Sequence, residues 1–278
     1  FQVAVINNFG GFYHSWVYFN EAKRQGGNLH LPCVNNSDFN TNITGNNIYI
    51  GLVHISKLEN KLANAIVDER THNGKYTGLE NFIQRIRPGI EQLLLLVKVN
   101  ALRFTDKPKS QLLWESHLLQ KTNKQLPKAV RLFESRGKQY ELPTLMHNKL
   151  EDAYDEIELL GFPVSTTFFN MLKTDFRGEI RACELDNMIG KRARMIGLLV
   201  TIKYVKTVKK EMMHFGTFLD DQGEFFDTTH FPDSLKRYPF RGHGVYLILG
   251  KVVTEFGYAS IEVEKLAKLP LQGDPREE

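Results

Sequence analysis

The sequence is short of the residues that carry most recognisable chemistry. It has two cysteines in 278 residues, Cys33 and Cys183, too far apart in the chain to form a paired-cysteine metal motif. That excludes a disulfide scaffold and a structural zinc site, and it points to a reducing, cytoplasmic compartment. No apolar run approaches the roughly 20 residues of a membrane helix; the longest with a helical pattern is Leu93–Val97. No membrane partner is expected. The chain opens on Phe1, without a methionine or a basic-then-apolar leader, and reads as a piece cut from something longer, with no signal peptide. It has no P-loop, no dinucleotide-type glycine motif, no nucleophile elbow and no paired-histidine motif. No catalytic residue, metal site or cofactor is therefore expected within it. His214 and His230 could face each other on neighbouring strands, but such a pair is more often packed than ligating.

What remains is an ordinary globular composition, 42% hydrophobic and 24% charged, long enough for about two domains at roughly 150 residues each. The first half is helical by pattern. Tyr13, Trp16, Val17 and Phe19 predict a helix over residues 12–25, stopped by Gly26-Gly27. Leu31–Val34 reads as extended, 35–47 as an Asn-rich turn region, and Ile48–Ile50 as a short apolar strand or helical turn. Helices follow at Glu59–His72 with Gly74 as its stop, Leu79–Ile86, Glu91–Val99 and Lys109–Gln120. Residues 121–148 are Lys-rich and broken by Pro127, Gly137 and Pro143, the composition of a linker. Lys149–Leu160 is amphipathic, and its acids, Glu151, Asp152, Asp155, Glu156 and Glu158, read as a solvated helix face rather than a metal or acid–base site. The tail Gly273–Glu278 reads as polar and mobile.

From Arg192 the period changes to alternation. Arg192–Val208, Glu211–Asp220, Phe225–Phe231, Gly244–Glu255 and Tyr258–Leu266 are strand candidates, with Asp221-Gln222-Gly223 as a turn and a helix or loop after the third strand. Five strands with a break after the third outline an OB-fold barrel. The expected class is thus α+β: a mostly helical N-terminal region, then a five-stranded barrel. Net charge is only +4, but from Lys191 to Lys210 there are seven basic residues and no acid. Such a stretch beside aromatics is the footprint of a polyanion binder; a solvated surface strand is the plain alternative. Strand alternation leaves half the aromatics for the core and half for stacking, and the register expected puts Phe226 inside and Phe225 outside. The single-strand-binding candidates are Lys203, Lys206, Lys209, Lys210, Phe215 and Phe225.

The order of elements resembles the C-terminal region of the bacterial replicative DNA polymerase III alpha subunit, a C-family polymerase. Pro32-Cys33-Val34-Asn35 is similar to that family's Pro-Asp-Val-Asn, with Cys33 at the Asp. Ile50-Gly51-Leu52, Lys57-Leu58-Glu59, Ala63–Ile66 and Arg70 resemble its first helix-hairpin-helix. Gly78-Leu79 with Phe82 and Arg85, Leu159–Phe162 with Val164-Ser165, and Leu249–Val252 resemble later segments, Thr166 and Thr167 standing where Gly-His is usual. The resemblance implies the end of the fingers over 1–50, a tandem helix-hairpin-helix region over 51–120, a linker over 121–148, a helical connector over 149–189 and the OB domain over 190–278. It implies duplex DNA contacts at the hairpins, with Lys57 and Glu59 in the glycine slots of the first, which makes that hairpin mainly structural. Asn100-Ala101-Leu102 stands for Gly-Ala-Phe in the second, followed by Arg103, Lys107 and Lys109. It implies a sliding-clamp (beta subunit) peptide at Ala129–Phe133, anchored by Leu132 and Phe133 but lacking the usual Gln at 129, and contact with other replisome subunits. The palm and its metal-binding aspartates would lie upstream, so the Mg²⁺-dependent nucleotidyl transfer belongs to the parent protein and this stretch by itself is inactive. A free-standing nucleic-acid-binding protein, or an OB barrel used for protein docking, remain the alternatives.

Overall fold

A computed structural model describes residues 1–124, 148–255 and 257–277. The chain forms two compact units, neither of them contiguous. One comprises Phe1–Gly10, Gly26–Ser165 and Asp274–Glu278; the other comprises Gly11–Gln25 and Thr166–Gly273. Residues 11–25, within the span the resemblance assigns to the end of the fingers, thus fold with the barrel. The connector span 149–189 is divided between the units.

The first unit holds α1 (Gln2–Asn7), α3 (Asn60–Asn73), α4 (Leu79–Ile86), α5 (Ile90–Lys98), α6 (Lys109–Lys124) and α7 (Lys149–Leu160). The apolar stripes of α3 to α7 meet in one core containing Ile66, Phe82, Ile83, Leu93, Leu96 and Val97, all almost fully buried. Gly74 ends α3 at φ 77°, an angle that glycine permits, and Gly161 ends α7 at φ 87° in the left-handed stop. Arg85 ties the α3 end to α4: it pairs with Glu69 at 2.9 Å and lies 4.4 Å from the Tyr76 ring centroid. A small sheet, β1 (Asn28–His30), β2 (Asn42–Thr44) and β3 (Asn47–Tyr49), has β3 in the middle, parallel to β1 and antiparallel to β2. The sequence shows only β3, because three-residue strands are too short to establish a period.

The second unit is a closed barrel. Its strands are β4 (Arg192–Lys206), β5 (Met212–Leu219), β6 (Phe225–His230), β7 (Val245–Glu255) and β8 (Tyr258–Lys268), in the order β4-β5-β6-β8-β7. Helix α8 (Pro232–Arg237) lies between β6 and β7 in the chain. Only the β6–β8 pair is parallel. That order, with a helix after the third strand, is the OB-fold. The interior is built from Met195, Leu199, Phe218, Phe226, Tyr246, Ile248, Val252, Ile261 and their neighbours. Phe218 and Phe226 stack at 5.6 Å. Gly197 makes room for them: a Cβ there would lie 2.6 Å from Phe226 Cζ and 2.8 Å from Phe218 Cβ, overpacking of a kind that costs about 1–3 kcal/mol. Helix α2 (Ser15–Arg24) packs on the outside, Val17 against Val200 and Leu219, and Arg24 reaches Glu224 at 3.2 Å. Asp220 makes the expected turn, accepting from the Gln222 and Glu224 amides at 2.9 Å each.

His214 and His230 are direct neighbours across β5 and β6. Their rings pack around Phe240, at 6.0 and 4.6 Å, and His230 Nε2 lies 2.9 Å from Thr228 Oγ1. Burial, with His214 adding to it, pushes the His230 imidazole down to about 4. An unfolded chain protonates this ring near 6.5, so the folded barrel holds fewer protons between about 4 and 6.5. This contribution to stability is full above pH 6.5 and is lost as pH falls, at about 1.4 kcal/mol per pH unit. Urea unfolding at pH 7 and pH 5 should show the natural chain losing about 2 kcal/mol more than a His230→Gln variant over that interval; equal losses would contradict the assignment.

Candidate nucleic-acid interface

In the first unit the two expected hairpin segments contain turns with positive φ. Lys57 has φ 65° and Asn100 φ 59°, the left-handed conformation that glycine would adopt most easily and that asparagine tolerates better than other side chains. Each heads a tight turn in which several neighbouring amides are already used. Ser56 N donates to Leu159 O at 2.7 Å and Leu58 N to Ile55 O at 3.2 Å, while Glu59 N donates to Gln92 Oε1 at 2.9 Å. In the second turn Asn100 N and Ala101 N both donate to carbonyls of α5 at 2.9 Å.

The cations expected to flank the second hairpin are largely engaged. The Arg103 guanidinium donates to the carbonyls of Pro32, Leu31 and Asn100, at 2.7, 2.9 and 3.2 Å. Lys107 pairs with Glu115 at 2.7 Å. Lys109 is 12% exposed and pairs with both Asp152 and Asp155. Ala101 is completely buried. Lys57 stays 70% exposed, with Glu158 at 3.6 Å.

The acids of α7 correct the sequence reading. Asp155 and Glu156 are buried, not solvated. Asp155 takes Lys109 at 2.8 Å and Arg276 at 2.7 Å, and Arg276 pairs again with Asp274 at 2.7 Å. The tail expected to be mobile is thereby tied to α7. Glu156 accepts from the amides of Val164 and Ser165 at 2.6 and 2.9 Å. Neither arrangement is a metal site or an acid–base pair. Nothing in the sequence marked these two acids, and the partners of Asp155, 46 and 121 residues away, were not legible.

The barrel arranges its candidates differently. Strand pairing sets Lys203 on β4 directly opposite Phe215 on β5, and Phe215 opposite Thr229 on β6. Phe225 lies opposite Leu219, on the same face as Phe215 and about 13 Å along the strand direction. Phe226 is buried and Phe225 is 39% exposed, so the expected register holds. Tyr13 lies 6.2 Å from the Phe225 ring. Lys206 is three residues from Lys203 and therefore on the other face, with Tyr204. Lys209 and Lys210 belong to the turn between β4 and β5, Lys210 at φ 62°. The four lysines thus flank the edge of β4 and its turn rather than lining one face. All four are exposed and have no ion-pair partner among the described residues. One acid shares the outward face: Asp227 accepts from Thr217 Oγ1 at 2.7 Å. Sequence reasoning passed over two aromatics, Tyr204 at 63% and Tyr258 at 81% exposure; for Tyr204 its place between Lys203 and Lys206 was the available clue.

Residues 26–112 match the helix-hairpin-helix motif family. Over 91% of its length the chain is 27% identical to the DNA polymerase III subunit alpha of Borreliella burgdorferi, and over 83% it is 26% identical to that of Staphylococcus epidermidis. The chain resembles the C-terminal hairpin-and-barrel region of the DNA polymerase III alpha subunit. It spans about a quarter of the length of those relatives, 24% and 22%. Among solved structures the barrel is similar to a single-stranded DNA binding protein from Thermus aquaticus, at 14% identity and TM-score 0.26, covering 30% of this chain and 41% of that one; the fold assignment stands on strand order instead. Of the two glycine slots expected in the first hairpin, Lys57 takes a positive φ and Glu59, at φ −67°, does not. The clamp-peptide residues Leu132 and Phe133 lie outside the described residues.

Removing the Asp155 charge tests how firmly this region is tied. Asp155→Asn leaves Lys109 and Arg276 each one remaining carboxylate, and should lower stability by about 2–3 kcal/mol. Thermal unfolding monitored by circular dichroism measures it; an unchanged midpoint would show that the buried pairs contribute nothing.

Proposed function

We propose that this chain is a DNA-holding region of a replicative polymerase, with the barrel guiding single-stranded template and the hairpin region set against duplex. The observation that carries the barrel assignment is the pairing of Lys203 with Phe215 on an outward face, beside the unpaired lysines of the β4–β5 turn. Aromatic rings stack on bases of any sequence, and lysines neutralise phosphates without demanding a fixed geometry. The lysines, without ion-pair partners among the described residues, are available for that; the cations at the hairpins mostly are not. We therefore read the hairpins as positioning elements whose duplex contacts run chiefly through exposed side chains such as Lys57. The resemblance to alpha subunits supports assigning dNTP addition, with its Mg²⁺, to the parent protein, and Leu132 and Phe133 to a sliding clamp. The parent's other replisome partners and its cytoplasmic location rest on the same resemblance. Among the described residues no helix is long and apolar enough to cross a membrane.

Fluorescence anisotropy with single-stranded, duplex and primer–template DNA, from 50 to 200 mM salt, tests the barrel reading. Reversing Lys203, Lys206, Lys209 and Lys210 to Glu should weaken single-strand binding at least about tenfold and flatten its salt dependence. Phe215→Ala should cost about 1–3 kcal/mol of single-strand affinity with the salt slope unchanged. Unaltered affinity in both variants would favour protein docking as the barrel's role.

A further inference from the structure

The barrel carries a second basic surface, away from the β5–β6 face. On its outward side, Arg194 of β4 lies directly opposite Leu249 of β7, and Leu249 opposite Lys265 of β8. The next row holds Leu247 opposite Ala267. The end of α8 and the segment after it bring Arg237, Tyr238 and Arg241 to the same groove, which Lys268 also lines. The groove has a volume of about 510 Å³, with five cations and no carboxylate among its lining residues.

Two of the cations are engaged. Arg194 donates to Glu179 at 2.8 and 2.6 Å, and Lys268 Nζ donates to the Arg241 carbonyl at 3.2 Å. The side chains of Arg237, Arg241 and Lys265 have no ion-pair partner among the described residues. A concentration of like charge around an apolar floor disfavours the folded state through self-repulsion unless an anion relieves it. Arginine matches phosphate oxygens with two parallel donors. The floor is leucine and alanine, with Tyr238 the single ring, so there is no platform for successive bases.

We infer that this groove binds the phosphodiester backbone of DNA, a contact that is electrostatic and indifferent to sequence. It shares no residue with the Lys203–Phe215 face and extends the proposed role by giving the barrel a second hold on the polyanion. That reading of the chain as a DNA binder underlies it. Two sources offer the same chemistry, a single strand continuing around the barrel or a neighbouring duplex.

The test uses the full chain, a 30-nucleotide oligo(dT) and a 30-base-pair duplex, titrated from 50 to 200 mM salt. The triple variant Arg237→Gln, Arg241→Gln, Lys265→Gln is compared with the natural chain and with the four-lysine reversal, after circular dichroism shows that each is folded. Loss of three phosphate contacts should make the single-strand salt slope shallower by about two, with at least about a tenfold loss of affinity at 100 mM salt. The same loss confined to the duplex would support the groove and assign it that source. A triple variant that binds both DNAs like the natural chain, while the lysine reversal loses binding, would overturn the groove and leave the Lys203–Phe215 face standing. A loss in the triple variant with the lysine reversal intact would support the groove and overturn that face. Failure of the natural chain to bind either DNA at 50 mM salt would overturn both.

Discussion

Phe218 and Phe226 stack inside the barrel because residue 197 has no side chain to keep them out. From that contact the register of three strands follows. With Phe226 inward, Phe225 is outward; with Phe218 inward, Phe215 is outward, and the pairing of β4 with β5 brings Lys203 beside it. A slip of one residue would send every one of these side chains to the opposite face, exchanging a stacking ring for a core ring. The ligand-facing chemistry of the barrel is thus a consequence of how its core is packed.

Each unit ties down some of its cations. In the hairpin unit Arg70 donates to the Val34 and Ser37 carbonyls and pairs with Asp38, Arg85 serves Glu69, and Lys109 shares Asp155 with Arg276. The buried pairs at Asp155 fix geometry more than they add stability, since desolvation offsets most of their attraction. In the barrel unit the lysines at the β4–β5 turn and the Arg237–Arg241–Lys265 group remain without carboxylate partners among the described residues. Charge left uncompensated on a surface is what long-range attraction of a polyanion requires.

Much of this was legible from the residues. Helices α3 to α7 followed their apolar periods and glycine stops, the five barrel strands followed alternation, and the inside–outside choice at Phe225 and Phe226 was made correctly. What escaped was set by contacts distant in sequence. Asp155 and Glu156 fell on the polar stripe of α7, and nothing local distinguished them from the exposed Glu158; their burial depends on Lys109, Arg276 and the amides after Phe162. Lys107, Lys109 and Arg103 looked like free cations because their partners could not be placed. The groove on β7 and β8 is spread over three strands and the segment after α8, so its cations never form a run. The left-handed turns at Lys57 and Asn100 were visible only through the resemblance, since neither residue announces positive φ by itself.

The account's central claim is that the outward face of β4, β5 and β6 is where single-stranded DNA lies. Amide chemical-shift mapping of the isotope-labelled chain during titration with oligo(dT) reads this directly. The account predicts progressive, saturable shifts at Lys203, Phe215, Thr217 and Phe225 and in the turn holding Lys209 and Lys210, with the interior neighbours Phe218 and Phe226 moving less. Saturation of the oligonucleotide with those outward amides unmoved would contradict it.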